Sequence, residues 1–294
     1  MMRPAAAVAV VAATALLAGC STAADEPIAV THVHAVDLDE QRGLAFVATH
    51  EGVLRIALDE GAPEIRSEVG ALEGVTQLGD WRGDVMGMAR LDDTIYLSGH
   101  PAVGVEAPAN IGVFQTDVRG RSFDPIALEG EVDFHSMSAG GVPLKSYGLA
   151  GLDSASGRVM VSRDRGETWT PGAVVAARTL SWDSRAESLY ATTEQGLLVS
   201  VDDGASFAPV EGAPALLMVA SSPTGSNPTV LVGVDVEGIV HTSADGVEWT
   251  ASGSAPAGTE AMSVGLSGAI LAASVEGVQR SDDGGATWEV VAEF

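Results

Sequence analysis

Five of the six histidines fall between positions 32 and 135. His32 and His34 stand two apart in THVHAVDLD, His50 follows in ATHEG, His100 in YLSGHP and His135 in VDFHSM. Carboxylates accompany them, Asp84 in GDVMGM and Asp133 two residues before His135, and Met86 adds a thioether. Imidazole with carboxylate is a donor set for zinc and similar divalent ions, and an added thioether suits copper. His32, His34, His50, His100, His135, Asp84, Asp133 and Met86 are therefore candidate ligands of zinc or copper. The competing reading makes each histidine a strand-end hydrogen bonder or a packed residue. His241 is read that way, and Met88, Met137, Met160, Met218 and Met262 as core fillers.

Glycoside hydrolysis would need two carboxylates flanking a cleft. Asp84 and Asp133 are the best pair for it, with Trp81 as a sugar-stacking ring; the plainer role of both is to cap the loops leading into strands. No Ser-His-Asp pattern or phosphate-binding loop stands out. The formal charge is -25 and Lys145 is the sole lysine, so the basic stripe that a nucleic-acid backbone requires does not exist. Such acidity implies solubility and a weak attraction for cations.

The elements that must carry these residues are announced by a repeat. Residues 162–169 read SRDRGETW and 281–288 read SDDGGATW; SVDDGASF at 200–207 fits the same S-x-D-x-G-x-[ST]-aromatic pattern. SADGVEW at 243–249 fits with one residue deleted. TDVRGRSF at 116–123 lacks the aspartate, and ALDEGAPE at 57–64 keeps only Asp59 and Gly61. Hydroxyl and carboxylate at this spacing bond backbone groups in a turn, glycine permits a positive φ, and the aromatic ring packs between sheets. Asp164, Asp202, Asp245 and Asp283 are thus turn formers rather than catalytic acids. The pattern resembles the Asp-box, or BNR, repeat of sialidases and many other propellers. Around each copy the chain reads as units of three to four strands at a period of about 40 residues, the signature of propeller blades. The expected fold is all-β, a single β-propeller of six blades, with Asp-box turns between third and fourth strands. A seventh blade assembled from both termini is the alternative.

Strands in a blade alternate in direction, so the boxes lie on one face of the disc. The starts of first strands and the turns after second strands lie on the other. His32 and His34 lead into the first strand of blade one, where a period of two puts them on one side. His50 ends its second strand, His100 ends the second strand of blade two, and His135 leads into blade three. Asp84 and Met86 lead into blade two. Three adjacent blades are expected to present these groups on the face away from the boxes.

The THVH, ATHEG, SGHP and DFH segments resemble short bacterial Asp-box lipoproteins of sialidase-like, glycosyl-hydrolase type. The resemblance covers most of the chain, but it rests on the repeats and carries little chemistry. Sialidases of this kind use an arginine triad, a Tyr-Glu nucleophile pair and an acid Asp, with an early Phe/Tyr-Arg-Ile-Pro motif. The nearest string here, Leu54-Arg55-Ile56-Ala57, falls on a third strand beside a degenerate box. Tyr96 and Tyr190 read as strand-core residues.

Ahead of the repeats, Arg3 and the apolar run 5–18 have the length of a signal-peptide core rather than a membrane span. The run ends in Leu17-Ala18-Gly19-Cys20, which resembles a bacterial lipobox. The resemblance implies cleavage before Cys20 and a lipid on its sulfur. The expected layout is a lipoprotein signal peptide (1–19), lipidated cysteine and tether (20–28) and propeller (29–294). The expected protein is exported to the bacterial cell envelope and held at a membrane by that lipid. There it acts as a non-catalytic binding protein whose His-rich face, on blades one to three, takes a metal ion or a partner. A glycoside hydrolase, or an assembly or adhesion scaffold for an envelope protein or glycan, are the alternatives; nucleic acid is not expected as a partner.

Overall fold

The computed structural model describes residues 29–58, 74–142, 146–183, 185–223, 226 and 230–294. Cys20, the segment before it, and Asp59 and Gly61 of the first degenerate box lie outside the described residues. Every described regular element is a β-strand, and no helix among the described residues is long and apolar enough to cross a membrane.

Among the described residues, twenty-four strands form six antiparallel sheets of four, each contiguous in sequence. Blade one holds β1 (Val33–Asp39), β2 (Leu44–Thr49), β3 (Gly52–Ala57) and β4 (Val75–Gln77). Blade two follows with β5 (Asp84–Leu91), β6 (Thr94–His100), β7 (Val113–Asp117) and β8 (Asp124–Ala127). Next come β9 (Phe134–Val142), β10 (Ser146–Asp153), β11 (Arg158–Ser162) and β12 (Thr170–Val174) of blade three. Blade four is β13 (Ala177–Asp183), β14 (Ser188–Thr193), β15 (Gly196–Ser200) and β16 (Ala208–Pro209). In blade five the strands are β17 (Leu216–Ser221), β18 (Leu231–Asp235), β19 (Ile239–Ser243) and β20 (Thr250–Ser254). Blade six ends the series with β21 (Ala261–Val264), β22 (Ile270–Ser274), β23 (Gly277–Ser281) and β24 (Glu289–Glu293).

The first strand of each blade packs beside those of its neighbours, and β21 packs on β1 to close the ring. The molecule is a six-bladed β-propeller, and the seven-bladed alternative is not adopted. Strand β2 lies between blades six and two, and its six residues are all buried. A strand sandwiched on both faces reads as a continuous apolar run. Ala45 and Val47 point to the core shared with blade six, while Leu44, Phe46 and Ala48 point to the core shared with blade two. The same holds round the ring: the six hydrophobic clusters coincide with the six blade interfaces. Burying a side chain such as Phe46 contributes roughly 1.5–3 kcal/mol, so inter-blade packing holds the ring, aided by hydrogen bonds between neighbouring sheets such as Leu180 N to Ser136 Oγ at 2.9 Å. Met88, Met137 and Met218 are buried in these cores, as expected.

The boxes join third to fourth strands. In 162–169, Ser162 Oγ accepts from Gly166 N at 2.8 Å and donates to Asp164 Oδ1 at 2.8 Å, and that oxygen also accepts from Thr168 N at 2.9 Å. Trp169 Nε1 donates to Gly166 O at 2.9 Å while its ring packs 5.0 Å from Phe134. Asp202 and Asp283 repeat these bonds. Asp245, in the copy shortened by one residue, accepts instead from Val247 N and Glu248 N, both at 2.9 Å. In TDVRGRSF the missing aspartate is replaced from one position earlier: Asp117 Oδ1 accepts from Arg119 N and Arg121 N at 3.1 and 3.2 Å.

Candidate functional site

Antiparallel pairing puts the starts of first strands and the ends of second strands on the face opposite the boxes. His32 lies just before β1, His34 within it, and His50 in the turn after β2. Asp84 opens β5, His100 ends β6, Asp133 immediately precedes β9 and His135 is its second residue. His241 stands apart on β19, its Nε2 2.7 Å from Asp235 Oδ2, a local pair of the kind expected for it.

Strand alternation alone would not aim these side chains at one another. Five first strands share a β-bulge near their start, at the second residue or, in β5, the third, where the register skips one position. The skipped residues are His34 in β1, Met86 in β5, His135 in β9, Arg178 in β13 and Leu217 in β17. A bulge re-aims the extra side chain and bends its strand. Two histidines and a methionine thus occupy one register position on three successive blades.

The histidines converge as two groups. His32, His34 and His50 form the first, with ring centroids 4.4, 4.8 and 5.6 Å apart. His100, Asp133 and His135 form the second. In each group one donor atom per residue lies within 4.8 Å of the others. Asp84 stands against the first group, Oδ1 3.7 Å from His34 Nε2 and Oδ2 3.4 Å from His50 Nδ1. Glu260, just ahead of β21 in blade six, completes the wall: Oε1 is 3.8 Å from His32 Nε2, and Oε2 accepts from Val33 N at 2.8 Å. Sequence reasoning missed Glu260. The signal was its position directly before a first strand, the same place that Asp133 holds.

In the second group, His100 Nδ1 is 2.8 Å from the carbonyl oxygen of Ala109. A carbonyl only accepts, so Nδ1 carries a proton and Nε2 is the nitrogen left to pair or to ligate. That nitrogen faces Asp133 Oδ2 at 3.4 Å. Two electron-rich atoms so placed need a cation, a proton or a metal ion, between them. A backbone carbonyl fixing the far nitrogen is also the usual outer partner of a metal-bound histidine. Asp133 Oδ2 further pairs with His135 Nε2 at 2.7 Å and accepts from Ser154 Oγ at 3.1 Å. Its other oxygen, Oδ1, is buried without a partner.

The electrostatics follow. Burial first, then the neighbouring His32, His50 and His135, pushes the His34 pKa down to about 4 against the pull of Asp133. His34 is therefore a neutral imidazole near pH 7, and its buried Nε2 has no hydrogen-bond partner. His135 moves the other way, raised by its hydrogen bond to Asp133 more than burial lowers it. Burial alone would raise the Asp133 carboxyl, but His135, His100 and Ser154 together hold it below the ordinary range.

These features bear on the glycosidase pair. A general acid needs a raised pKa and access to the scissile oxygen; Asp133 has a lowered one and is 5% exposed. Trp81, read as a sugar-stacking ring, is partly buried against the core between blades one and two, 5.8 Å from Phe123 and 6.4 Å from Phe114. Tyr96 and Tyr190 are buried in blade interfaces, as read from their strands.

The fold and the face together define a six-bladed propeller with a histidine-carboxylate cluster at one end of its axis. No family model matches the chain, and no curated protein does. Solved structures do match in fold. An ancestral GH74 enzyme aligns with a TM-score of 0.54 at 14% identity, over 91% of this chain and 39% of that one. An auxiliary nutrient binding protein from Bacteroides thetaiotaomicron gives 0.54 at 8% identity, over 82% and 66% of the two chains. Virginiamycin B lyase from Staphylococcus aureus gives 0.52 at 12% identity, over 89% and 84%. At these identities the likeness is one of fold alone.

Proposed function

We propose that this chain is an exported, lipid-anchored propeller that binds a transition-metal ion, zinc or copper, on its histidine face, and acts by binding rather than by catalysis. The observation that carries this reading is His34. Its side chain is 8% exposed, yet Nε2 has no hydrogen-bond partner, and two imidazoles and the Asp84 carboxylate surround it. Leaving a buried polar atom unpaired costs about 1–3 kcal/mol, and an ion at that point would remove the cost. The three rings of this group are clustered lone-pair donors, which is what a divalent ion selects. The strongly acidic chain raises the local concentration of cations. Export and anchoring rest on the lipobox-like segment ending at Cys20.

The test is elemental analysis of a soluble form starting after Cys20, purified without a His tag, exposed to zinc or copper and desalted. Near-stoichiometric retained metal, lost on combined His32→Ala, His34→Ala and His135→Ala substitution, is the expected result. Retention unchanged in that variant, or none in the parent, overturns the reading.

A further inference from the structure

The histidine face holds two groups of three donors, and their arrangement says how many ions it takes. Within each group the donor atoms lie close enough to collapse onto one ion. Zinc takes three protein ligands and leaves one position open, or takes four in a closed site. Six donors plus Asp84 exceed what one such ion accommodates, and they divide by strand into sets served by different blades.

The two sets share a wall. Asp84, which stands 3.4 Å from His50 and 3.7 Å from His34, is the register partner of His100 across β5 and β6. Directly opposed residues on an antiparallel pair lie about 4.5–5.5 Å apart. His100 in turn faces Asp133 of the second set at 3.4 Å. The charges of His135 and Asp133 are felt at His34, and that of Asp84 at His135. Asp84 Oδ1 is buried and has no hydrogen-bond partner, as is Asp133 Oδ1 on a side chain that is 5% exposed. One unsatisfied carboxylate oxygen therefore stands with each set.

We infer that the face is a two-ion centre for divalent transition metals, with His32, His34 and His50 on one ion, His100, Asp133 and His135 on the other, and Asp84 as the carboxylate they share. This rests on the metal-binding reading above. Paired ions of this kind are typically about 3.5–4 Å apart and hold oxygen ligands between them. The second ion is the new element: it makes the centre a carrier of two equivalents, with a mutual influence that isolated sites would lack.

Copper(II) serves as the probe, added to the metal-free soluble form and followed by metal content and by the integrated electron-spin signal. Two bound equivalents, with a spin count well below two per chain because ions sharing a carboxylate couple magnetically, is the expected result. This measurement needs no variant. In His32→Ala/His50→Ala and in His100→Ala/His135→Ala, each shown to be folded by its circular dichroism, one equivalent with one full spin should remain. A single equivalent in the parent, lost in either variant, would overturn the pair while leaving metal binding intact. Two equivalents with two full spins would overturn the shared carboxylate and leave separate sites. No bound copper or zinc at all would remove the metal-binding reading itself.

Discussion

The backbone of Gly99 passes so close to Asp84 that a β-carbon placed on Gly99 would lie 2.0 Å from the Asp84 carbonyl oxygen. Gly99 also has a φ of 150°, which L side chains rarely adopt. The residue is thus what lets β5 and β6 meet at the Asp84–His100 pair. Gly99→Ala is expected to destabilise the protein by at least ~1 kcal/mol and to lower the number of metal equivalents retained. Urea unfolding and metal analysis on the same sample check both effects. Unchanged stability would show that the strands do not depend on that approach.

Replacing His34 separates a structural role from a ligating one. His34→Leu removes the unpartnered buried nitrogen, so the metal-free protein should lose little or no stability. Metal protection is the property that should vanish. In the parent, free zinc at 100 times Kd should add about 2.7 kcal/mol through preferential binding to the folded state, and in the variant the gain should fall sharply. Thermal melts with and without zinc give the answer. A large loss in the metal-free melt would instead mark His34 as a packing residue.

On the opposite face, Arg90 ties blade two to blade one. Its guanidinium donates to Asp37 and to Leu38 O, and lies 3.6 Å from Asp39 Oδ2, with little of the side chain exposed. Removing one partner of a buried ion pair leaves the others uncompensated, at about 3–5 kcal/mol. Arg90→Ala is expected to cost that order, read from the urea midpoint. A loss under about 1 kcal/mol, the level of an exposed pair, would show that solvent screens the cluster.

The box aspartates predict an acid response. Hydrogen bonds from Thr287, through its hydroxyl and backbone, and from Ser281 hold Asp283 at about 2, below its ordinary 3.8. Between these values the unfolded chain binds the proton that the folded chain refuses. The contribution to stability is therefore full above about 4 and is lost as pH falls through 2. Asp283→Asn should melt lower than the parent at pH 6, and the difference should shrink steadily toward pH 2. A gap that stays constant across that range would assign the effect to shape rather than charge.

How far the chain could be read in advance depended on the range of the interaction involved. The boxes are local: Ser162, Asp164 and Gly166 bond within five residues, so their spacing alone disclosed the turns and, through their recurrence, the propeller. The face bearing His50 and His100 followed from strand direction. The bulges were not visible, because His34 and His135 are skipped only in relation to Ala48 and Leu152 on the neighbouring strands. Glu260 meets Val33 across 227 positions of sequence, a contact made by closing the ring. The division of the histidines into two groups likewise depends on the Asp84–His100 register, which no single segment encodes.

Ring closure has a consequence of its own. Among the described residues no strand is exchanged between blade one and blade six; packing and two glutamates join the first and last blades. Glu260 clasps the seam at the histidine face through Val33 N. Glu40 clasps it at the box face through Ser267 N, 2.8 Å away, and lies 3.7 Å from Arg280. His32 leans on the first of these clasps. A cation held between His32 and Glu260 would act as a latch on the seam, so that the ring's resistance to being pulled open would rise and fall with the metal supply around it.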